Sequence, residues 1–568
     1  MIKVESDKIY MTAGEICHVL EVRDNMLYSA YFGKRIELED DLVALCGNSD
    51  IPEFAPDISA GKKKFKLEYA GAGVLDAKPH RASALDGGKT LAVNMRSKTA
   101  NVTADIYYTP YPRGGFSRRV VLFNGTDETL SVKGCNALKF AGNAHIATVT
   151  NNGDIVYSDK SVSKSVRSVD NFALATVGDA AYGFLSVYGD GMIEAVSADG
   201  IITADCRESD CVSLAPREKY TSPELLYVYS DSGEGGASRI LHDVMREAPG
   251  GKFLAERRPI VLFCPPLPGE RIVGAVNATY ELGCDVFCAD AGAVDLNTFK
   301  AAGEACKAAG LKLGIKLDPY KISKSGAVFG PACKKISDDG YACDFTTQNG
   351  VYELLAVLAK IIDECGAEYL MIDLPRGGIQ NIARGVYSVR HALRQRFAEL
   401  NVEWGIVPHE LAHGRLLSYP PCMMRTVVTA KGKLKSEFDA ATFGCLGYAL
   451  DPTAVSADIK RAIRAQIFSY QNDAPIVMLG DVYFVRSSSG DVCLMSVTKD
   501  KSQAYVVCER SSVGNARVFL DGLDEHNLYH VRELDKTFSG AALVNCGVPM
   551  YDAETVCLHI RQVADYEL

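Results

Sequence analysis

The chain has 568 residues, 47% hydrophobic and 23% charged, with a formal net charge of −10. That length suggests three or so domains, and the composition is that of a soluble globular protein. The acidic balance and dispersed Lys and Arg exclude nucleic acid and anionic membranes as expected partners, and no apolar run reaches the ~20 residues that span a bilayer.

The start, MIKVESDKIYMTAGE, is charged and has no signal-peptide core, so a cytoplasmic location is expected. Residues 1 to about 230 are short alternating segments, clearest at Asp105–Thr109, Arg119–Phe123 and Tyr182–Tyr188. With Asn124-Gly125 and Asp190-Gly191 as turn signals they read as a large antiparallel β-sandwich, residues 1–235. An amphipathic stretch, Ala237 to Glu247, marks a linking helix in 236–255.

From 256 to 475 the rhythm is strand, loop, helix. Strand-like runs begin at Pro259 and Asn401, and three more end in Asp290, Asp318 and Asp373, with helical segments such as Phe299–Ala309 and Val351–Cys365 between. Alternating βα units imply a parallel sheet, open or closed into a (β/α)8-type barrel, whole or incomplete. Val455, Ile459, Ile463 and Ile467 repeat every four residues as a helix, and strand texture returns after Asn472. A small β domain, 476–568, with turns at Ser489-Gly-Asp491 and Asp521-Gly-Leu-Asp524, closes the chain. The eighteen cysteines form no CxxC pair. Cys284, Cys288, Cys445, Cys493 and Cys508 lie in apolar runs and read as small buried hydrophobes in a reducing compartment.

The candidate site follows from the strands. A buried strand that delivers an acid to the rim of a sheet is how barrel enzymes present catalytic groups, and three such acids are too many for decoration. Lys316 and Arg376 are cations near these ends. They either meet an anionic group on a substrate or are merely solvated. His409-Glu-Leu-Ala-His413 matches H-E-x-x-H, a zinc motif when it lies on a helix. Here Pro408 precedes it and Gly414 cuts it short, so a polar loop is the expected reading, with neither metal nor cofactor.

The order of domains resembles glycoside hydrolase family 36, the α-galactosidases and their relatives. Tyr31-Phe-Gly-Lys-Arg35, Pro223–Asp231, Glu281–Asp290, Gly310–Pro319 and Phe443–Asp451 resemble family segments and come in family order. The resemblance implies that Asp373 falls on the catalytic nucleophile, within Met371-Ile-Asp-Leu-Pro375 where the family has KWDMN. It implies sugar contacts at Asp290, Lys316, Asp318, Arg376, His409, His413 and Arg415. Several of these depart from the pattern: DDGW becomes Asp290-Ala-Gly-Ala293, and LWFEP becomes Ile315-Lys-Leu-Asp-Pro319. The family's CASGGGR loop is replaced by Pro408–Arg415. The SDNTD segment that carries the family's acid/base has no counterpart, because Arg415 runs on toward Pro420-Pro421.

Two functions stay open: an α-glycosidase with a rebuilt pocket, acting on an α-linked, substituted or acidic sugar with Glu410 as candidate acid/base, or an inactive sugar-binding pseudo-glycosidase. A metal-dependent hydrolase on His409, Glu410 and His413 is a minor third. A carbohydrate is the expected ligand, and the resemblance implies a homo-oligomer.

Overall fold

The computed structural model describes the chain except residues 38–49, 78–87, 150–154, 158–165, 169–170, 188–191, 208–210, 248–256, 339, 346, 374–384, 386–387, 390–391, 394, 398, 404–411, 513 and 564–568. Two compact units result. One is Met1–Leu254 with Leu417–Tyr419, and the other is Ala255–Leu416 with Pro420–Leu568.

The first unit is antiparallel throughout. Strand Val102–Tyr111 shows why: Val102, Ala104, Ile106 and Tyr108 are buried, and the residues between them are only half-buried. Period-two alternation of this kind puts one face in a core. The strand pairs with Gly115–Asn124 from Tyr111↔Gly115 to Val102↔Asn124, inside a ten-stranded sheet. A four-stranded meander (Ile2–Val4, Lys8–Ala13, Ile16–Arg23, Met26–Lys34) contributes Ile9, Leu20 and Phe32 to the same core, which makes the unit a sandwich. The expected linking helix is present as Gly233–Glu247, with Ala237, Leu241, Val244 and Met245 buried.

The second unit holds a curled parallel sheet of seven described strands. In chain order they are Val261–Phe263, Val286–Asp290, Lys312–Leu317, Ala367–Ile372, Asn401–Glu403, Arg425–Val428 and Cys445–Ala449. Their spatial order is fifth, fourth, third, second, first, seventh, sixth, so the fifth and sixth strands are the two edges. The barrel is therefore incomplete among the described residues, its edges being Asn401–Glu403 and Arg425–Val428. Helices Gly269–Leu282, Leu296–Ala309 and Gln348–Cys365 connect successive strands as the βα rhythm requires. Each ends at a glycine with positive φ, at Gly283, Gly310 and Gly366.

Two expectations need correction. The last barrel helix runs Ala457–Leu479, so Val455 precedes it and the helix continues past Asn472. Ser456 caps it by accepting the Ile459 N–H (3.3 Å), and Pro475 lies inside it, where it removes one backbone donor. Cys493 and Cys508 are buried as expected but not as free thiols. They face each other across strands Val492–Val497 and Gln503–Glu509 and form a disulfide. Those strands belong to the six-stranded antiparallel sheet of the C-terminal region. Among the described residues no helix is long and apolar enough to cross a membrane.

Candidate active site

Strand parity builds the site. Val261, Phe263, Val286, Cys288, Tyr369 and Met371 form one buried cluster, with Val427 and Ala449 packed on it. These are alternate residues of five strands, and they fill the barrel interior. Two residues further along each strand the same inward register reaches Asp290 and Asp373. In-register pairing sets Lys316 beside both Asp290 and Met371. The polar positions thus emerge at the C-terminal rim directly above an apolar floor.

Lys316 Nζ lies 3.5 Å from Asp373 Oδ2, with side chains 27% and 25% exposed. The same ammonium sits 5.9 Å from the Phe263 ring centroid. Asp373 is tied to the third strand as well, since its N–H donates to Leu317 O (2.9 Å). Asp290 accepts the Gly292 N–H on Oδ1 (2.8 Å). Burial pushes its carboxyl up, and the charges of Asp318 and Asp373 add to that. The Gly292 N–H and Lys316 oppose it. Asp318 accepts the Tyr320 N–H (3.0 Å) and lies 3.5 Å from Lys321 Nζ.

Asp290, Lys316, Asp318 and Asp373 therefore converge, and Ala291 and Met371 are buried beside them. Arg415 lies on the four-residue helix Ala412–Arg415, half-buried. That helix is a single turn and runs through Gly414 to Arg415, so Gly414 does not cut it short as expected. His413 lies on it, without a described side chain, whereas Arg376, His409 and Glu410 lie outside the described residues, as do Trp404 and Pro375. Among the described residues no three His, Cys, Asp or Glu cluster as a metal site.

Sequence reasoning missed a second polar group, below the rim. Glu403, on one edge strand, accepts from Arg425 on the other: Nη2 to Oε1 at 2.5 Å and Nε to Oε2 at 2.8 Å. Arg258 Nη2 (2.7 Å) and Tyr369 Oη (2.5 Å) complete the carboxylate's shell. Arg425 Nη1 also donates to the carbonyls of Pro259 (2.9 Å) and Leu446 (2.5 Å). Burial alone would raise the Glu403 carboxyl, but Arg425 and Arg258 outweigh it and hold it at about 2. The signal was there to find: a lone acid in Asn401-Val-Glu-Trp and a lone Arg in Met424-Arg-Thr-Val-Val, each inside an apolar run.

Residues 491–566 match the Glycosyl hydrolase family 36 C-terminal domain. Over that region the chain is similar to glycoside hydrolase family 36. Among curated relatives it is 21% identical over 424 residues to alpha-galactosidase Mel36A of Lactobacillus acidophilus, covering 59% of this chain and 58% of that protein. It is 21% identical over 467 residues to alpha-galactosidase AgaA of Geobacillus stearothermophilus, covering 65% and 64%. The chain thus spans about three fifths of the length of the curated relatives it matches. In fold, the galactosidase domain of the alpha-galactosidase-sucrose kinase AgaSK superposes with a TM-score of 0.84 at 16% identity, over 99% of this chain and 100% of that one. The family 36 enzyme AgaA of Geobacillus stearothermophilus gives 0.82 at 17% identity, over 98% and 100%.

Proposed function

We propose that this protein is a retaining α-glycosidase of the family 36 type, with Asp373 as nucleophile. One observation carries the reading: the inward register of the barrel strands brings Asp290, Lys316, Asp318 and Asp373 together at the C-terminal rim. A carboxylate there attacks the anomeric carbon, while a second carboxyl, about 5–5.5 Å away in retaining enzymes, protonates the leaving oxygen. Glu410 is our candidate for that acid, and Asp290 and Asp318 are placed to hold sugar hydroxyls. Arg376, His409, His413 and Arg415 are proposed as further substrate contacts.

The ion pair with Asp373 engages Lys316, so among the described rim residues that cation is partnered within the protein, and an acidic sugar would rely on other cations such as Arg415. A neutral, substituted α-linked sugar fits better than an unmodified galactoside, since Ala291, Lys316, Met371 and Pro375 replace most family contacts. The composition supports a cytoplasmic setting, and the family resemblance supports self-association.

Asp373→Asn keeps shape and removes charge, so turnover of an active substrate should fall by orders of magnitude with the far-ultraviolet circular dichroism unchanged. Unaltered turnover would sink the assignment.

The same ion pair favours a second reading. An ammonium held on the carboxylate lowers its nucleophilicity, as in a sugar-binding protein that has given up hydrolysis. Saturable sugar binding by calorimetry, with no product from any α-glycoside, would establish that reading instead.

A further inference from the structure

The loop that follows Asp318 carries a short antiparallel hairpin, Cys333–Lys335 with Tyr341–Cys343, and its register sets Cys333 directly opposite Cys343. Backbone bonds define the pair type. Cys343 N–H points away from the partner strand, to Pro319 O (2.9 Å), while Asp344 N–H donates back across it, to Ala332 O (3.0 Å). Cys333 and Cys343 are therefore a non-hydrogen-bonded pair, the closer kind, with Cα atoms about 4.5 Å apart and side chains on one face. That separation lies within the span a disulfide bridges, about 4.4–6.8 Å. This chain already joins one cross-strand cysteine pair, Cys493 and Cys508, at a Cα separation of 4.2 Å.

Cys333 is partly exposed and Cys343 buried, and both are thiols. The thiol of Cys343 hydrogen-bonds to Cys333 and holds Cys333 below the ordinary thiol range, while Cys343 is itself pushed up by that bond and by burial. The accessible member of the pair is thus the better nucleophile.

The hairpin is tied to the site. Ile322 and Tyr341 exchange backbone bonds (3.0 and 2.9 Å), and Cys343 N–H holds Pro319, the residue after Asp318. On its other side Cys333 Sγ donates to Val328 O (3.6 Å), and Val328 N–H donates to Ala291 O (3.2 Å), next to Asp290. The packing is close: a Cβ on Gly326 would lie 2.3 Å from Gly292 O. One cysteine pair therefore buttresses the loops of two rim acids.

We propose that Cys333 and Cys343 form a reversible dithiol–disulfide site that staples the loop behind Asp318 when a small-molecule disulfide is present. The Cys333 thiolate attacks one sulfur of the oxidant and expels a thiolate. Cys343 then loses its proton to solvent, attacks the Cys333 sulfur and expels the second. The protein dithiol is oxidised by two electrons, and the small disulfide is reduced to two thiols. This chemistry does not depend on whether the barrel hydrolyses glycosides.

The test uses the full chain with oxidised glutathione, then alkylation, non-reducing digestion and mass spectrometry. A Cys333–Cys343 linked peptide should form, disappear with dithiothreitol, and slow amide exchange across residues 319–344. Cys343→Ser should trap glutathione on Cys333, whereas Cys333→Ser should leave Cys343 alkylatable only after unfolding. Oxidation of exposed Cys211 and Cys546 with Cys333 and Cys343 still free would overturn the proposal. A lasting glutathione adduct on Cys333 in the unmutated chain, or unchanged exchange in the linked form, would overturn it equally.

Discussion

A single carboxylate joins the two open edges of the barrel. Glu403 has no solvent to fall back on, and its four donors come from Arg425, Arg258 and Tyr369. Gly447 makes room for them, since a Cβ there would stand 3.3 Å from Arg425 Cδ and 3.1 Å from the Phe263 ring. Such a buried cluster adds little over an apolar replacement of the whole, but removing one member strands the rest. Glu403→Gln keeps the volume and removes the negative charge that the buried Arg425 guanidinium grips. It should cost about 3–5 kcal/mol of unfolding free energy in urea. By contrast Lys433→Ala, which removes an exposed partner of Glu554, should fall within about 1 kcal/mol of the parent. Equal effects would mean that Glu403 is not the clamp described. The depressed carboxyl also sets a sign. Its contribution is present above the unfolded value near 4.5 and is lost as pH falls toward about 2.

At the scale of elements, the long helix Ala457–Leu479 is held to the C-terminal sheet through charge. His559, on strand Thr555–Gln562, faces Asp473 of the helix (Nε2 to Oδ1, 3.1 Å) and Glu533 (Nδ1 to Oε1, 2.6 Å). Arg532 packs against the same ring. Burial lowers the imidazole, but the two carboxylates outweigh burial and raise it above its ordinary value. A group raised on folding stabilises fully below its unfolded value, about 6.5, and loses that contribution as pH rises through the folded value. The stability gap between the parent and His559→Gln should therefore be larger at pH 5.5 than at pH 8.5, by thermal or urea unfolding. A gap that is flat or grows with pH removes the charged imidazole from the joint. Sequence pattern showed that this helix exists because Ile463 and Ile467 keep a helical period, and both are buried. It did not show the helix end, because Pro475 reads as a stop until tertiary contacts hold the last turns. Similarly, strand-ending acids at Asp290 and Asp373 were legible from parity alone. The Glu403–Arg425 clamp was not, because only the curl of the sheet brings residues 403 and 425 together. Nor was the Cys333–Cys343 pair, since hairpin register depends on turn geometry rather than on the cysteines.

At the scale of the molecule, the fold is that of the family 36 α-galactosidase structures it resembles. Among the described residues the fifth and sixth strands are the edges of the parallel sheet, and a buried ion cluster joins them. If the nucleophile remains and the acid has moved, the two halves of the reaction respond differently to the leaving group. Attack by Asp373 on a glycosyl fluoride needs no proton on departure, whereas expulsion of a sugar alkoxide does. Glu410→Gln should therefore leave kcat/KM for an α-glycosyl fluoride near the parent value, while kcat falls because the same carboxyl activates water in the second step. For an oligosaccharide of the same sugar it should lower kcat/KM by about 10²–10⁴-fold, the usual contribution of a positioned general acid. Asp373→Asn should abolish both. Equal losses of kcat/KM on the two substrates in Glu410→Gln would show that this carboxyl shapes the pocket rather than delivering the proton. A parent chain that cleaves the fluoride but never the oligosaccharide would show that a nucleophile remains in a barrel that has lost its acid.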